Sequence, residues 1–410
     1  MNYLNNIELK LIKLLNKLKM KQKLSKKAKL YKTEALKQIL SAIASPGMIS
    51  LAGGVPAPES FPLELIKNLS NEVFDKYKTK SLQYNKTCGT DELRGTLSEW
   101  MNKKYQMNVE KENILITTGS TQAFDLIGKI FLDPNDNIIA EDPSYLGALW
   151  GFDPYQPNYI TVKSKEDGID INELEDKIKK KKNIKFLYIV STFQNPTGRV
   201  IKLSKRKRLA ELASRYDFLI IEDDPYSYLR YKGKPVPPIK TFDNNDKIIY
   251  LSTFSKILAP GFRIAFAVAS KEIIDLLTDA KESADLHTNV FGQLLVNEYI
   301  QGNYIDKQIK KIIELYRPRY LTMLRSLKKY FPKTAHWTEP EGGMFCWIEL
   351  DKDTDTSKLY KRSIENKVAF VPGVYFYANK DTKNTLRLNF SNVSKDKIEE
   401  GIKILGSLLK

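Results

Sequence analysis

The stretch Phe218-Leu219-Ile220-Ile221-Glu222-Asp223-Asp224-Pro225-Tyr226 joins an unbroken apolar run to three acids, a proline and a tyrosine. Four apolar residues without polar alternation read as a strand buried on both faces, the habit of parallel sheets. Similar runs stand at Asn113-Ile114-Leu115-Ile116-Thr117, Asn137-Ile138-Ile139-Ala140, Phe186-Leu187-Tyr188-Ile189-Val190 and Ile248-Ile249-Tyr250-Leu251. Helical stretches separate them between Ile49 and about Ala269, so the expected architecture is α/β, a mostly parallel sheet covered by helices on both faces. Ligands of such sheets bind beyond the carboxyl ends of the strands. Farther on, Pro340–Leu350 and Thr385–Phe390 read as strands among helices, predicting a second, smaller α+β unit from about residue 300.

Composition narrows the chemistry. The 410 residues are 42% hydrophobic and 28% charged, as in ordinary soluble enzymes, and no apolar stretch is long enough to span a membrane. Two cysteines, Cys88 and Cys346, form no metal-ligand spacing, and two distant histidines, His287 and His336, leave little for a zinc site or a hydrolase triad. No metal is expected, and the cysteine usage fits a reducing, cytoplasmic setting. Of the net charge of +17, residues 1–32 hold ten lysines against the single acid Glu8. In that extension Leu4, Ile7, Leu11, Leu14 and Leu18 recur at helical spacing, which predicts one basic amphipathic helix. A partner subunit, an anionic membrane surface or no catalytic role at all fits it; membrane contact and nucleic-acid binding are not expected.

The loops after the strands carry the candidate chemistry. Ser252-Thr253-Phe254-Ser255-Lys256 follows the last run, and Arg263 lies seven residues beyond the lysine. A lysine becomes a Schiff-base nucleophile when it is fixed against a carbonyl and its ammonium is destabilised by burial or neighbouring cations. Arg263, with the hydroxyls of Thr253 and Ser255, suits a phosphate ester. Thr117-Thr118-Gly119-Ser120-Thr121-Gln122 opens a helix with a glycine and small hydroxyls, either an anion cup or a plain N-terminus. Tyr145 follows the second run, where it stacks on a flat cofactor or packs in the core. Asn195 in Gln194-Asn195-Pro196-Thr197-Gly198 offers an amide from a turn, one of the acids Glu222-Asp223-Asp224 a carboxylate for a protonated ring nitrogen, and Tyr226 a donor for a ring oxygen.

Gly119-Ser120-Thr121-Gln122, Tyr145, Asn195-Pro196-Thr197-Gly198, Asp223 with Tyr226, and Ser255-Lys256 with Arg263 resemble the motif set of fold-type I aminotransferases dependent on pyridoxal 5′-phosphate (PLP). The branch resembled holds the 2-aminoadipate and kynurenine aminotransferases, and the likeness runs from about Tyr31 to the C-terminus. It is supported by Ile49–Pro56, Leu82-Gln83-Tyr84 and Ala284-Asp285-Leu286-His287-Thr288. The resemblance implies a large PLP-binding domain over 61–299 with a seven-stranded sheet. An arm of the small domain would span 31–60, its body 300–410, and the basic extension 1–30.

It also implies roles. Lys256 would hold the PLP aldehyde, and Ser120, Thr121 and Arg263 its phosphate, with Thr253 or Ser255 assisting. Tyr145 would stack on the ring, Asn195 and Tyr226 would bind its phenolic oxygen, and Asp223 its nitrogen. Lys256, Asp223 and Tyr226 would then be the catalytic residues. Arg387 would bind the substrate carboxylate with Asn195 nearby, and the Gly53-Gly54 loop and the segment Lys32–Leu40 would close over the substrate. Tyr84 would reach the phosphate of a second subunit in a homodimer. The implied reaction moves an amino group from an L-amino acid to a 2-oxo acid, 2-oxoglutarate foremost, by ping-pong half-reactions. Lys37 stands where relatives carry an arginine able to meet a distal carboxylate, and Glu34 lies nearby, so the donor range stays open across 2-aminoadipate, aromatic and branched-chain amino acids. The alternatives are a PLP-dependent C–S β-lyase and an aminotransferase-like transcription regulator, the latter needing far more than thirty residues ahead of the likeness.

Overall fold

The computed structural model describes residues 23–31 and 45–409. The basic helix expected over Leu4–Leu18 and the segment with Glu34 and Lys37 lie outside the described residues. The body opens with β1 (Ile49–Ser50). The large sheet follows with β2 (Ile114–Thr117), β3 (Asn137–Asp142), β4 (Asn158–Lys165), β5 (Gly168–Ile169), β6 (Ile184–Val190), β7 (Leu219–Asp223), β8 (Ile248–Thr253) and β9 (Ala265–Val268). Their spatial order is β2-β9-β8-β7-β6-β3-β4-β5. Strands β8, β7, β6, β3 and β4 are parallel neighbours, whereas β9 runs antiparallel between β2 and β8.

The expected seven-stranded sheet therefore gains an eighth member. β5 is a two-residue antiparallel return on β4, made by a turn that places Gly168 at φ +99°. Two residues carry no readable periodicity. The sequence runs also missed β4 and β9: β4 is half-exposed along most of its length, and β9 is only four residues of mostly small side chains.

Side chains alternate between two apolar layers, as the strand period of two requires. Ile139, Leu187, Ile189, Ile220 and Ile248 pack with Leu174 and Leu209 from the helices Ile171–Lys180 and Leu203–Tyr216. Their sequence neighbours Ile138, Phe186, Tyr188, Ile221 and Ile249 face Phe124 and Ile127 of the helix Ser120–Phe131 and Leu277 of the helix Lys271–Asp285. Each such burial stabilises the fold by about 1.5–3 kcal/mol relative to exposure. The sheet is thereby held rigid, and its strand ends become fixed points.

The C-terminal part builds β10 (His336–Trp337), β11 (Phe345–Glu349), β12 (Val368–Ala369), β13 (Val371–Pro372) and β14 (Thr385–Asn389). Four of these form an antiparallel sheet in the order β10-β11-β14-β13, while β12 pairs in parallel with β1. The long helix Tyr304–Tyr330 packs along the helix Lys395–Leu408. The apolar layer that holds Phe193 and Tyr226 continues without a break into Phe345, Leu386 and Leu388. That continuity brings β11 and β14 against the strand ends of the large sheet. Among the described residues no helix is long and apolar enough to cross a membrane.

Candidate active site

Three consecutive acids end β7, and the strand period sends them to different sides. Glu222 accepts the backbone N–H groups of Ile239 (2.8 Å) and Lys240 (2.9 Å). Asp224 accepts the Tyr250 hydroxyl at 3.0 Å and the Ser227 N–H at 3.3 Å. Asp223 faces the other way. Its Oδ2 accepts the Tyr188 hydroxyl at 2.9 Å, while Oδ1 is buried without a partner. Burial pushes its carboxyl up to about 7, against the opposing effects of Tyr188 and Lys256. A buried carboxylate oxygen left open suits a cationic ring nitrogen, which would supply the missing hydrogen bond and offset the desolvation.

Lys256 stands in the short 3-10 turn Phe254–Lys256 directly after β8. Its Nζ donates to the Gly54 carbonyl at 2.8 Å. Removal from water, then the guanidinium charges of Arg387 and Arg263, bring the ammonium down to about 8, with Asp223 resisting. On the order of a tenth of the amine is then unprotonated at neutral pH, a far larger share than for a free lysine.

The anion cup is a close fit of backbone and guanidinium. Gly119 adopts φ +82°, a conformation that favours glycine, and a Cβ there would push the Arg263 guanidinium out of its place. The helix Ser120–Phe131 has no side-chain cap, which leaves first-turn N–H groups for a ligand. Thr253 Oγ1 accepts the Ser255 N–H at 3.1 Å and contacts Ser255 Oγ at 3.0 Å, so Thr253 orients Ser255.

The opposite end comes from the smaller sheet. Arg387, on β14, donates from Nη1 to Asn195 Oδ1 (2.7 Å) and from Nη2 to the Ala52 carbonyl (2.6 Å). Its Nε is buried without a partner. The guanidinium carbon stacks over Phe345 at 4.3 Å and Phe376 at 5.0 Å, and burial brings the group down to about 10. Asn195 Nδ2 donates to the Tyr226 hydroxyl at 3.2 Å. The Tyr145 ring stands edge-on to Phe124, with centroids 6.3 Å apart.

One cavity of about 260 Å³ gathers Gly53, Ser120, Thr121, Tyr145, Asn195, Asp223, Tyr226, Thr253, Ser255, Lys256, Arg263 and Arg387. Among the candidates only Tyr84 stays outside: it is 77% exposed, and its ring meets the edge of His287 at 5.7 Å. The sequence reading missed Tyr188, whose one available signal is a hydroxyl inside an otherwise apolar strand. It also missed the apolar lining of Phe124, Leu146 and Val190, which sequence alone cannot tell from core. Open oxygen, lowered amine and anion cup together fit a phosphorylated pyridine aldehyde.

The comparisons agree with that fit. Residues 48–405 match the family model "Aminotransferase class I and II". The chain is 46% identical to the aromatic-amino-acid aminotransferase 1 of Thermococcus litoralis, over 94% of each chain. A kynurenine aminotransferase of Pyrococcus horikoshii, solved in complex with PMP, superposes with a TM-score of 0.92 at 46% identity, covering 95% of this chain and 97% of that one. An α-aminoadipate aminotransferase of Thermus thermophilus, complexed with N-(5′-phosphopyridoxyl)-L-leucine, superposes at 0.87 with 37% identity, over 95% of this chain and 98% of that one. Matches of that extent leave one assignment for a cavity of this chemistry: the chain belongs to the aminotransferase class I and II family and is a PLP-dependent aminotransferase of fold type I.

Proposed function

We propose that the protein transfers the amino group of an aromatic, kynurenine-like or branched-chain L-amino acid to 2-oxoglutarate in two ping-pong half-reactions. The observation that carries the donor class is the cavity's lining. Phe124, Leu146 and Val55 give it apolar walls, and the segment Lys32–Leu40, expected to close over the substrate, lies outside the described residues. A 2-aminoadipate donor, with its distal carboxylate, is the weaker member of the range. Relatives named for aromatic and kynurenine substrates support the first part of that range, and the α-aminoadipate aminotransferase of Thermus thermophilus keeps 2-aminoadipate within it.

Bound PLP supplies an aldehyde and an electron sink. The residues do the rest. Lys256 would hold the aldehyde and, with its Nζ amine free, would take up and return the donor's Cα proton. Asp223 Oδ1 keeps the ring nitrogen protonated, while Asn195 and Tyr226 hold the phenolic oxygen and Tyr145 covers the ring. Ser120, Thr121, Ser255 and Arg263 bind the phosphate, with Thr253 orienting Ser255. Arg387 and Asn195 receive the donor's α-carboxylate, with Gly53 beside it.

The division of the chain into an extension over 1–30, an arm over 31–60, a large domain over 61–299 and a small one over 300–410 belongs to this proposal. So do a cytoplasmic setting and a homodimer in which Tyr84 of one copy reaches the phosphate end of the other. Exposure of Tyr84 and of Leu82 (73%) supports that pairing. A monomer in analytical ultracentrifugation would contradict it.

The function is tested by incubating the holoenzyme with a panel of donors and 2-oxoglutarate and measuring glutamate. Aromatic donors are expected to lead, with 2-aminoadipate at least several-fold slower in kcat/KM. Ammonia and pyruvate without glutamate would instead identify a C–S β-lyase.

A further inference from the structure

The anion cup at Ser120 and Thr121 is held from outside by a charged pair on a different helix. Asp285, the last residue of the helix Lys271–Asp285, accepts at Oδ2 from Thr118 Oγ1 (2.8 Å) and Gln122 Nε2 (2.7 Å). Gln122 Oε1 in turn accepts the Thr118 N–H at 2.7 Å. One carboxylate oxygen thus clamps both residues that bracket Gly119-Ser120-Thr121. Thr118 is braced a second time by Thr288, hydroxyl to hydroxyl at 3.1 Å.

The other oxygen, Oδ1, accepts from Lys281 one turn earlier. Lys281 has a side-chain exposure of 0%, against 28% for Asp285, so its ammonium is sealed away from any ligand in the cup. Asp285 is the partner that opposes the burial of Lys281. The same helix offers an internal control in Lys271–Asp275, which has the same spacing but lies 65% and 59% exposed. An exposed pair of that kind contributes little to stability. Full burial of Lys281 makes its ion pair a different object, because a lone charge there is strongly penalised.

An acid clamped beside a phosphate cup poses an electrostatic problem. Its charge would repel the dianion that the cup is shaped to receive. We propose that Asp285 and Lys281 are positioning residues of the cup. Asp285 fixes the two flanking residues so that the Ser120 and Thr121 donors are ordered before binding, and Lys281 neutralises Asp285 so that the clamp does not repel phosphate. The inference rests on the reading of Ser120, Thr121 and Arg263 as the phosphate grip.

The test separates phosphate from the rest of the ligand. Full-length protein freed of cofactor is titrated with PLP and with pyridoxal, which has the same ring and aldehyde but no phosphate, and the affinity ratio is followed by absorbance. For Lys281→Met the ratio is expected to fall about tenfold or more, with pyridoxal affinity held within about threefold. Adding Asp285→Asn to that variant removes the stranded charge and is expected to restore most of the ratio. Equal weakening of both ligands, an unchanged ratio, or a double variant as poor as the single one overturns the proposal. Should Lys281→Met fail to fold, Gln122→Leu decides, because it breaks the Asp285 clamp without changing any charge: a drop in the ratio of about threefold or more supports the clamp, and an unchanged ratio overturns it. Unaltered protein that does not prefer PLP to pyridoxal would overturn the phosphate reading itself, a result distinct from failure of the variants.

Discussion

The two ends of the cavity are built differently. The phosphate end comes from loops that follow β2 and β8, neighbours of β9 in one rigid sheet, and from Arg263 just before β9. Its parts lie close in sequence to the strands that fix them. The carboxylate end depends on Arg387, on β14 of the smaller sheet, meeting Asn195 and Ala52 from distant parts of the chain. One end is a property of local strand–loop geometry; the other exists only because two sheets pack against each other. On the proposed roles, catalysis and cofactor grip fall to the large sheet, and substrate recognition to its junction with the smaller one.

The sharpest way to break the comparison is at the rigid end. Lys256→Ala is expected to lower kcat by about four orders of magnitude or more, with the far-ultraviolet circular dichroism unchanged. A loss of less than about tenfold in single-turnover kinetics would remove the lysine from its proposed role. Next in size, Asp223→Asn leaves a group of the same shape without the charge that stabilises a protonated ring. A fall in kcat of about 10²–10³-fold is expected, and Tyr188→Phe, which removes only the brace on Oδ2, should cost much less. Equal effects of the two substitutions would place the whole burden on geometry and none on charge.

At the junction the expected effect is smaller and falls on a different parameter. Arg387→Lys keeps a cation but loses the planar fork, so KM for amino donors should rise about 10- to 100-fold with kcat changed far less. A matching fall in kcat would show that the two ends are not separable.

The smallest effect is in stability against pH. In cofactor-free protein Asp223 titrates near 7, above its unfolded value of about 3.9, so the native state binds the extra proton and stability falls as pH rises between those values. Lys256 titrates near 8, below its unfolded value of about 10.4, so the unfolded state binds the extra proton and stability rises across that interval. Melting temperatures of the parent, Asp223→Asn and Lys256→Met proteins from pH 4 to 10 check both slopes. The acid-side slope should become shallower in the first variant, with Glu141 and Asp142, also raised by burial, keeping part of it, and the alkaline-side slope should become shallower in the second; superposable curves would refute both shifts.

Much of this was legible from sequence, and for a reason. Apolar runs such as Phe186–Val190 announce their strands, a parallel sheet puts ligands at the strand ends, and the loops holding Ser120, Asn195, Asp223 and Lys256 follow those runs within a few residues. Residue chemistry and family likeness then named the roles. What escaped was whatever depends on contacts across the chain. Tyr188 as the brace on Asp223, the Lys256 bond to Gly54, the two rings against Arg387 and the clamp of Asp285 on Thr118 and Gln122 join residues far apart in sequence.

The sequence by itself determined the period of the strands and the chemistry at their ends. Only the tertiary structure decided which of three adjacent acids keeps an oxygen open, and which arginine loses its water against aromatic rings. Strand periodicity and residue type are short-range properties carried by neighbours along the chain. Burial and unpaired hydrogen-bonding groups are set by what packs on the far side, and that is known only when the chain has closed on itself.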